Sequence, residues 1–236
     1  MTEQEILHTM ALTRIPRVNT AMQRRLLTEL GSASAVFEHR HHIREVIPDA
    51  SDKLAASLAQ MELYATRAEE ELEFALRNKI RCLCYNDSDY PFRLRECDDA
   101  PLLLYYKGNA ELNRAHVINM VGTRHCTEYG KDICRRFVAE LKDLYPDVLI
   151  VSGLAYGVDI HSHRAALDHN LDTVGVLAHG LDQIYPRLHR DTAVKMVSQG
   201  GLLTEFMSRT NADKVNFVRR NRIVAGMADA TIVVES

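Results

Sequence analysis

Residues 148–167 read Val148-Leu149-Ile150-Val151-Ser152-Gly153-Leu154-Ala155-Tyr156-Gly157-Val158-Asp159-Ile160-His161-Ser162-His163-Arg164-Ala165-Ala166-Leu167. The first four form a continuous apolar run, the pattern of a strand buried on both faces. The last ten place Val158, Ala165, Ala166 and Leu167 at helical spacing, and a Gly-containing turn joins the two pieces. A strand feeding a helix through such a turn aims backbone N–H groups and a helix N-terminus at one spot, a geometry that favours an anion, usually a phosphate. A tight strand–helix turn with no ligand explains the same glycines, because no G-x-G-x-x-G fingerprint accompanies them.

The same alternation extends outward from this unit. Strands are expected over about 117–121, 148–151, 173–178, 202–204 and 230–234, and helices over about 128–144, 158–169, 190–199 and 214–226. Alternating β and α units imply an α/β fold, a mostly parallel sheet with helices on both faces and right-handed crossovers. Ligands of such sheets sit at the carboxyl ends of the strands.

Residues 1–80 read as helices only. Met22, Leu26, Leu27 and Leu30 form a stripe that begins after Asn19 or Thr20 and closes at Gly31. A single long helix is expected from Asp52 to about Asn78, with Glu69, Glu70, Glu71 and Glu73 on its solvated face. Near Lys79 the period changes to that of a strand, Ile80 to Tyr85, and a second strand follows at Leu102 to Tyr106. The expected organisation is a small helical domain, 1–80, and an α/β domain, 81–236.

Composition narrows the function classes. Of 236 residues, 29 are basic and 32 acidic, and residues 1–80 carry 10 and 12 of these. The chain lacks the bulk basic signature of many nucleic-acid binders, so a polyanion site must arise from local arrangement. There is no signal-peptide pattern and no long apolar run, so a cytoplasmic protein without a membrane span is expected. The five cysteines include no C-x-x-C pair. Cys82 and Cys84 are read as a buried, reduced pair on one strand face. No cofactor fingerprint is present, and neither His39-His41-His42 nor Asp159-His161-His163 has convincing ligand spacing, so no metal is expected.

Every expected strand delivers polar residues at its carboxyl end. The first gives Gly122, Thr123 and Arg124; the second Ser152, Gly153 and Gly157; the third leads to Tyr185 and Arg187; Phe217, Arg219, Arg220, Asn221 and Arg222 precede the last. Guanidinium groups suit phosphate through their planar fork of donors, and several spaced arginines suit a polymer of phosphates. Tyr156, Tyr185 and Phe217 are placed to stack on unpaired bases. Alternatively, the arginines of 219–222 form a solvated helix face or pair with Glu205 or Glu235. There is no Walker loop, no G-x-S-x-G elbow and no convincing carboxylate pair.

Taken together, Val121-Gly122-Thr123-Arg124 with Tyr129-Gly130, Ser152-Gly153-Leu154-Ala155 with Gly157-Val158-Asp159, Gly180-Leu181-Asp182 with Tyr185-Pro186, Thr204-Glu205, and Arg220-Asn221-Arg222-Ile223-Val224-Ala225-Gly226 resemble the DprA/Smf family of bacterial DNA-processing proteins. The resemblance runs over nearly the whole chain. It implies an extended Rossmann-like domain preceded by a helical SAM-like domain. It also implies a protein without catalytic turnover that binds and protects incoming single-stranded DNA, loads the RecA recombinase during natural transformation, and acts as a homodimer. By the same resemblance Arg124 is the first phosphate contact, followed by the backbone at Ser152 and Gly153 and the arginines near 219–222.

Three departures stand out. Where the family often has Gly-x-Gly in a helical hairpin, this chain has Arg17-Val18-Asn19, and Thr123 replaces a common Ser. The chain also ends at Val234-Glu235-Ser236, where the family continues into a part that contributes to dimerisation and to the recombinase surface. The rival reading is a Rossmann-like enzyme that cleaves the N-glycosidic bond of nucleoside monophosphates, with Glu205 as its catalytic candidate, although its P-G-G-x-G-T-x-x-E type motif is absent. A scaffold for protein partners alone is the third.

Overall fold

The structure, a computed structural model, describes residues 1–236. The chain divides into two compact units, one of Met1–Asp87 with Asp98–Leu103 and one of Ser88–Cys97 with Leu104–Ser236.

The first unit is built from short capped helices. Helix α1 (Glu3–Arg14) starts at Thr2, and α2 (Thr20–Leu30) starts at Asn19, whose side chain accepts the Met22 N–H at 2.9 Å. Helix α2 stops at Gly31, held at φ +85°, a left-handed conformation that glycine adopts with little strain. Helix α3 (Ala33–Glu38) is capped by Ser32, the short α4 (Ile43–Val46) follows, and α5 (Asp52–Leu58) is capped by Ser51. Leu12, Leu26, Val36, Ile43, Leu58 and Met61 form the core of this unit.

The single helix expected over residues 52–78 is broken. Helix α5 is followed by a 3-10 turn at Met61–Tyr64, and only then by α6 (Ala65–Arg77). No Gly or Pro marks the break. The tighter turn buries Met61 completely and leaves Leu63 exposed, separating a helix that serves the Leu58 core from one that packs along α1. The acidic face of α6 also needs correction. Glu71 is 2% exposed and accepts from Arg67 at 2.8 Å, because a carboxylate on a buried stripe requires a charged partner. Strand β1 (Arg81–Cys84) closes the unit. Cys82 and Cys84 are free thiols, and burial pushes both up to about 12.

In the second unit α7 (Phe92–Arg95) precedes β2 (Leu103–Gly108) and β3 (Val117–Gly122). The chain then alternates: α8 (Glu128–Leu144), β4 (Leu149–Ser152), α9 (Val158–Asp168), β5 (Thr173–Val176), α10 (Arg190–Ser198), β6 (Gly200–Thr204), α11 (Lys214–Gly226) and β7 (Ala230–Val234). The strands lie in the order β2-β6-β5-β4-β3-β7, parallel throughout except for β2 against β6. The fold is thus α/β, Rossmann-like and mostly parallel.

The pleat of β3 sorts the helices onto two faces. Ile118 and Met120 pack with Cys134, Val138, Val158 and Ala165 of α8 and α9. Asn119 points the opposite way, where its amide donates to the Val224 carbonyl of α11 at 3.1 Å.

His163 of α9 is fully buried and shares a 2.7 Å hydrogen bond with Thr173 Oγ1. Since the Thr173 hydroxyl donates to the Ile150 carbonyl at 2.9 Å, His163 Nδ1 carries the hydrogen. Burial, followed by the positive Arg220, pushes the imidazole down to about 3. The unfolded chain therefore binds a proton here that the folded chain does not. Stability contributed by the neutral form is full above about pH 6.5 and falls by about 1.4 kcal/mol per unit below it. At pH 5 the His163→Gln variant is expected to lack about 2 kcal/mol of the wild-type loss relative to pH 7. Parallel urea titrations at the two pH values check this, and identical losses in both proteins would refute it.

Candidate nucleic-acid interface

The carboxyl ends of β3 and β4 and one face of α11 enclose a pocket of about 300 Å³. After β3, the Thr123 N–H donates to the Glu235 carbonyl at 2.9 Å and the Thr123 carbonyl accepts the Val158 N–H at 3.1 Å. The Thr123 hydroxyl accepts the His125 N–H at 3.2 Å. The Glu235 carboxylate accepts from the N–H of Thr127 at 2.9 Å and from its hydroxyl, tying down the start of α8. This fixed loop presents Arg124 to solvent, its guanidinium 5.4 Å from the centre of the Phe217 ring. At that distance a cation and an aromatic face attract.

After β4 the chain turns inward before it reaches α9. Ser152 is buried and donates to the Met120 carbonyl at 2.6 Å. Gly153 lies against Arg220 so closely that a Cβ there would stand 1.7 Å from the guanidinium. The Leu154 carbonyl meets His189 Nδ1 at 2.8 Å, and the half-exposed Tyr156 ring meets the His189 ring edge-on at 5.2 Å. Asp159, 7% exposed, accepts the Ala155 N–H at 3.3 Å. Burial pushes its carboxyl above the usual carboxylate range, and the nearby Arg220 guanidinium opposes that rise.

Helix α11 supplies the remaining wall. Asn216, Arg220, Ile223 and Val224 are its buried residues. Arg220 is 3% exposed and donates to the Val176 carbonyl at 2.6 Å.

The residues read from the sequence separate into groups. Gly122, Arg124, Gly153, Phe217, Arg220 and Asn221 line the pocket. Tyr185 adjoins it, its ring 5.9 Å from that of Phe217, while Thr123 and Gly157 shape its loops. Ser152 is spent inside the sheet. Arg187 lines a separate depression beside Asp182 and Arg190. Arg222 is bound to Glu205 at 2.5 Å, with Arg219 3.8 Å from the same oxygen. Glu205 and Asp182 have different partners, Asp182 accepting the Arg209 N–H at 3.0 Å, in keeping with the lack of a convincing carboxylate pair in the sequence. The sequence reading did not count Asn119, Asp159 and Thr231 toward the interface, yet all three line the pocket. Asn119 was visible as the one polar residue within Val117-Ile118-Asn119-Met120-Val121.

The family model described as DNA recombination-mediator protein A matches residues 81–236. The chain is 31% identical over 222 residues to the DNA processing protein DprA of Bacillus subtilis, covering 94% of this chain and 74% of that protein. It is 36% identical over 183 residues to a putative DNA processing protein DprA of Mycobacterium tuberculosis, covering 72% of this chain and 46% of that one. The chain thus spans about half the length of several curated relatives. The X-ray structure of DprA from Streptococcus pneumoniae superposes with a TM-score of 0.78 at 26% identity, covering 99% of this chain and 77% of that one. A structure describing the single-stranded DNA binding mode of DprA from Helicobacter pylori gives a TM-score of 0.57 at 27% identity, with 66% and 70% covered.

Proposed function

This chain belongs to the DprA/Smf family, the DNA recombination-mediator proteins A, and on that premise we propose that it binds single-stranded DNA at the pocket bounded by Arg124. In this reading it works in the cytoplasm without catalytic turnover, protects incoming strands during natural transformation and loads the RecA recombinase. Residues 1–80 form its helical SAM-like domain, 81–236 its DNA-binding domain, and the working protein is a homodimer. The observation that supports the reading best is Arg124 itself, a solvent-facing guanidinium on a fixed loop beside Phe217. Phosphate meets the cation and bases stack on the rings of Phe217 and Tyr185, an arrangement indifferent to sequence. Glu205, engaged by Arg222 and Arg219, is poorly suited to the acid–base role of the N-glycosidase reading.

Fluorescence anisotropy with a labelled oligo-dT and its duplex over a salt series tests the reading. Single-strand binding that falls steeply with salt is expected. Arg124→Ala should weaken it about tenfold and shave roughly one phosphate from the salt slope. Duplex preference, or release of free base from nucleoside monophosphates, would sink it.

A further inference from the structure

We infer that His179 is a positioning residue for Tyr185: its neutral imidazole holds the Tyr185 backbone so that the ring stands beside Phe217, ready to stack. The inference deepens the single-strand reading above and rests on it for the role of the ring. The loop from Gly180 to Pro186 is anchored at both ends. At its start the Gly180 N–H donates to the Thr210 carbonyl at 3.1 Å, and the Gln183 amide donates to the same oxygen at 2.9 Å. At its end the Pro186 carbonyl accepts the His189 N–H at 2.9 Å. Between these anchors the Tyr185 N–H donates to His179 Nε2 at 3.2 Å. The side chain that precedes the loop thus reaches across it and fixes its far half.

Only one protonation state serves. His179 Nδ1 lies 2.8 Å from the Gly180 carbonyl, an acceptor, so Nδ1 carries the hydrogen and Nε2 keeps its lone pair. An imidazolium would set a second N–H against the Tyr185 N–H. His179 is 1% exposed, and burial lowers its pKa below the usual histidine value. Asp182 of the same loop opposes that shift and Arg220 of α11 adds to it. Strand β6 brings the uncharged Thr204, whose hydroxyl meets the His179 carbonyl at 2.9 Å. The acceptor for Tyr185 is therefore present throughout the neutral range. From there the path outward is short. The half-exposed Tyr185 ring is 5.9 Å from that of Phe217, which lies 5.4 Å from the Arg124 guanidinium.

Two substitutions separate the halves of the imidazole. Glutamine places a carbonyl oxygen where Nε2 stands and can accept the Tyr185 N–H. Asparagine can still donate to the Gly180 carbonyl but is too short to reach Tyr185. The test uses the full chain, an oligo-dT strand and an all-abasic tetrahydrofuran strand of equal length. His179→Asn is expected to weaken oligo-dT binding about fivefold or more, as for a lost stacking contact, and to leave the abasic strand unaffected. His179→Gln should stay within about twofold of wild type on both strands, and His179→Asn should add nothing in a Tyr185→Ala background. In the free protein, hydrogen exchange of the Tyr185 amide should quicken about fivefold in His179→Asn and not in His179→Gln, matching one lost hydrogen bond. Equal damage by the two substitutions overturns the inference, as does a His179→Asn loss that is the same on both strands. If wild type binds neither strand, the single-strand reading fails, and the exchange measurement still decides whether His179 holds Tyr185: unchanged exchange in His179→Asn overturns it.

Discussion

Arg220→Ala is expected to lower the stability of the chain by about 3–5 kcal/mol, the range for breaking a buried charge pair from one side. The guanidinium is 3% exposed, supports the Val176 carbonyl, and sits where Gly153 leaves no room for anything else. Its loss strands the Asp159 carboxylate in a buried site and opens a void under the β4 turn. Removing both charges in Asp159→Asn with Arg220→Met should cost less than Arg220→Met alone, since the surviving partner is what makes a single removal expensive. Urea unfolding of the variants measures both effects. An Arg220→Ala protein with the wild-type midpoint but weak DNA binding would show that Arg220 contacts phosphate directly and is not a brace.

Gly157→Ala is expected to cost about 3 kcal/mol or more and to weaken single-strand binding together with stability. Gly157 adopts φ +76° and ψ −128°, a region essentially reserved for glycine. A Cβ there would lie 2.0 Å from the Thr123 carbonyl oxygen and 2.7 Å from Arg124 Cα. The obstruction is backbone, so relief requires the Arg124 loop to move. Gly31→Ala provides the control. Gly31 also has positive φ, +85°, but a Cβ meets nothing within 4 Å, so only the conformational cost of about 1 kcal/mol remains. Similar losses in the two variants would show that the contact with the Arg124 loop is unimportant.

Much of the second unit was legible because its elements obey simple periods. The bounds expected for the helices at 128–144 and 214–226 and the strand at 230–234 coincide with those of α8, α11 and β7. The break between α5 and α6 was not legible, since no residue at Ala59-Gln60 is a helix breaker and the cause is tertiary packing of Met61. Nor was the antiparallel sense of β2, which depends on how the chain enters the sheet. Within the site, Arg219, Arg220 and Arg222 read as one basic cluster, yet helical period alone separates them. Arg220 falls on the stripe of Asn216, Ile223 and Val224 and turns inward. Asp159 drew attention as a possible metal ligand, whereas its acceptor duty to Ala155 four residues earlier follows from the turn that carries both.

The loop that bears Arg124 is anchored before any ligand arrives, through Glu235 on one side and Val158 on the other. An interface of this kind loses little entropy when a strand settles on it, and contact is limited by encounter more than by rearrangement. On the single-strand reading proposed above, the grip comes from one cation and from rings that accept any base, so successive nucleotides are interchangeable to it. A strand held in this way is free to advance through the site by single-nucleotide steps, so occupancy at equilibrium coexists with lateral mobility along the polymer.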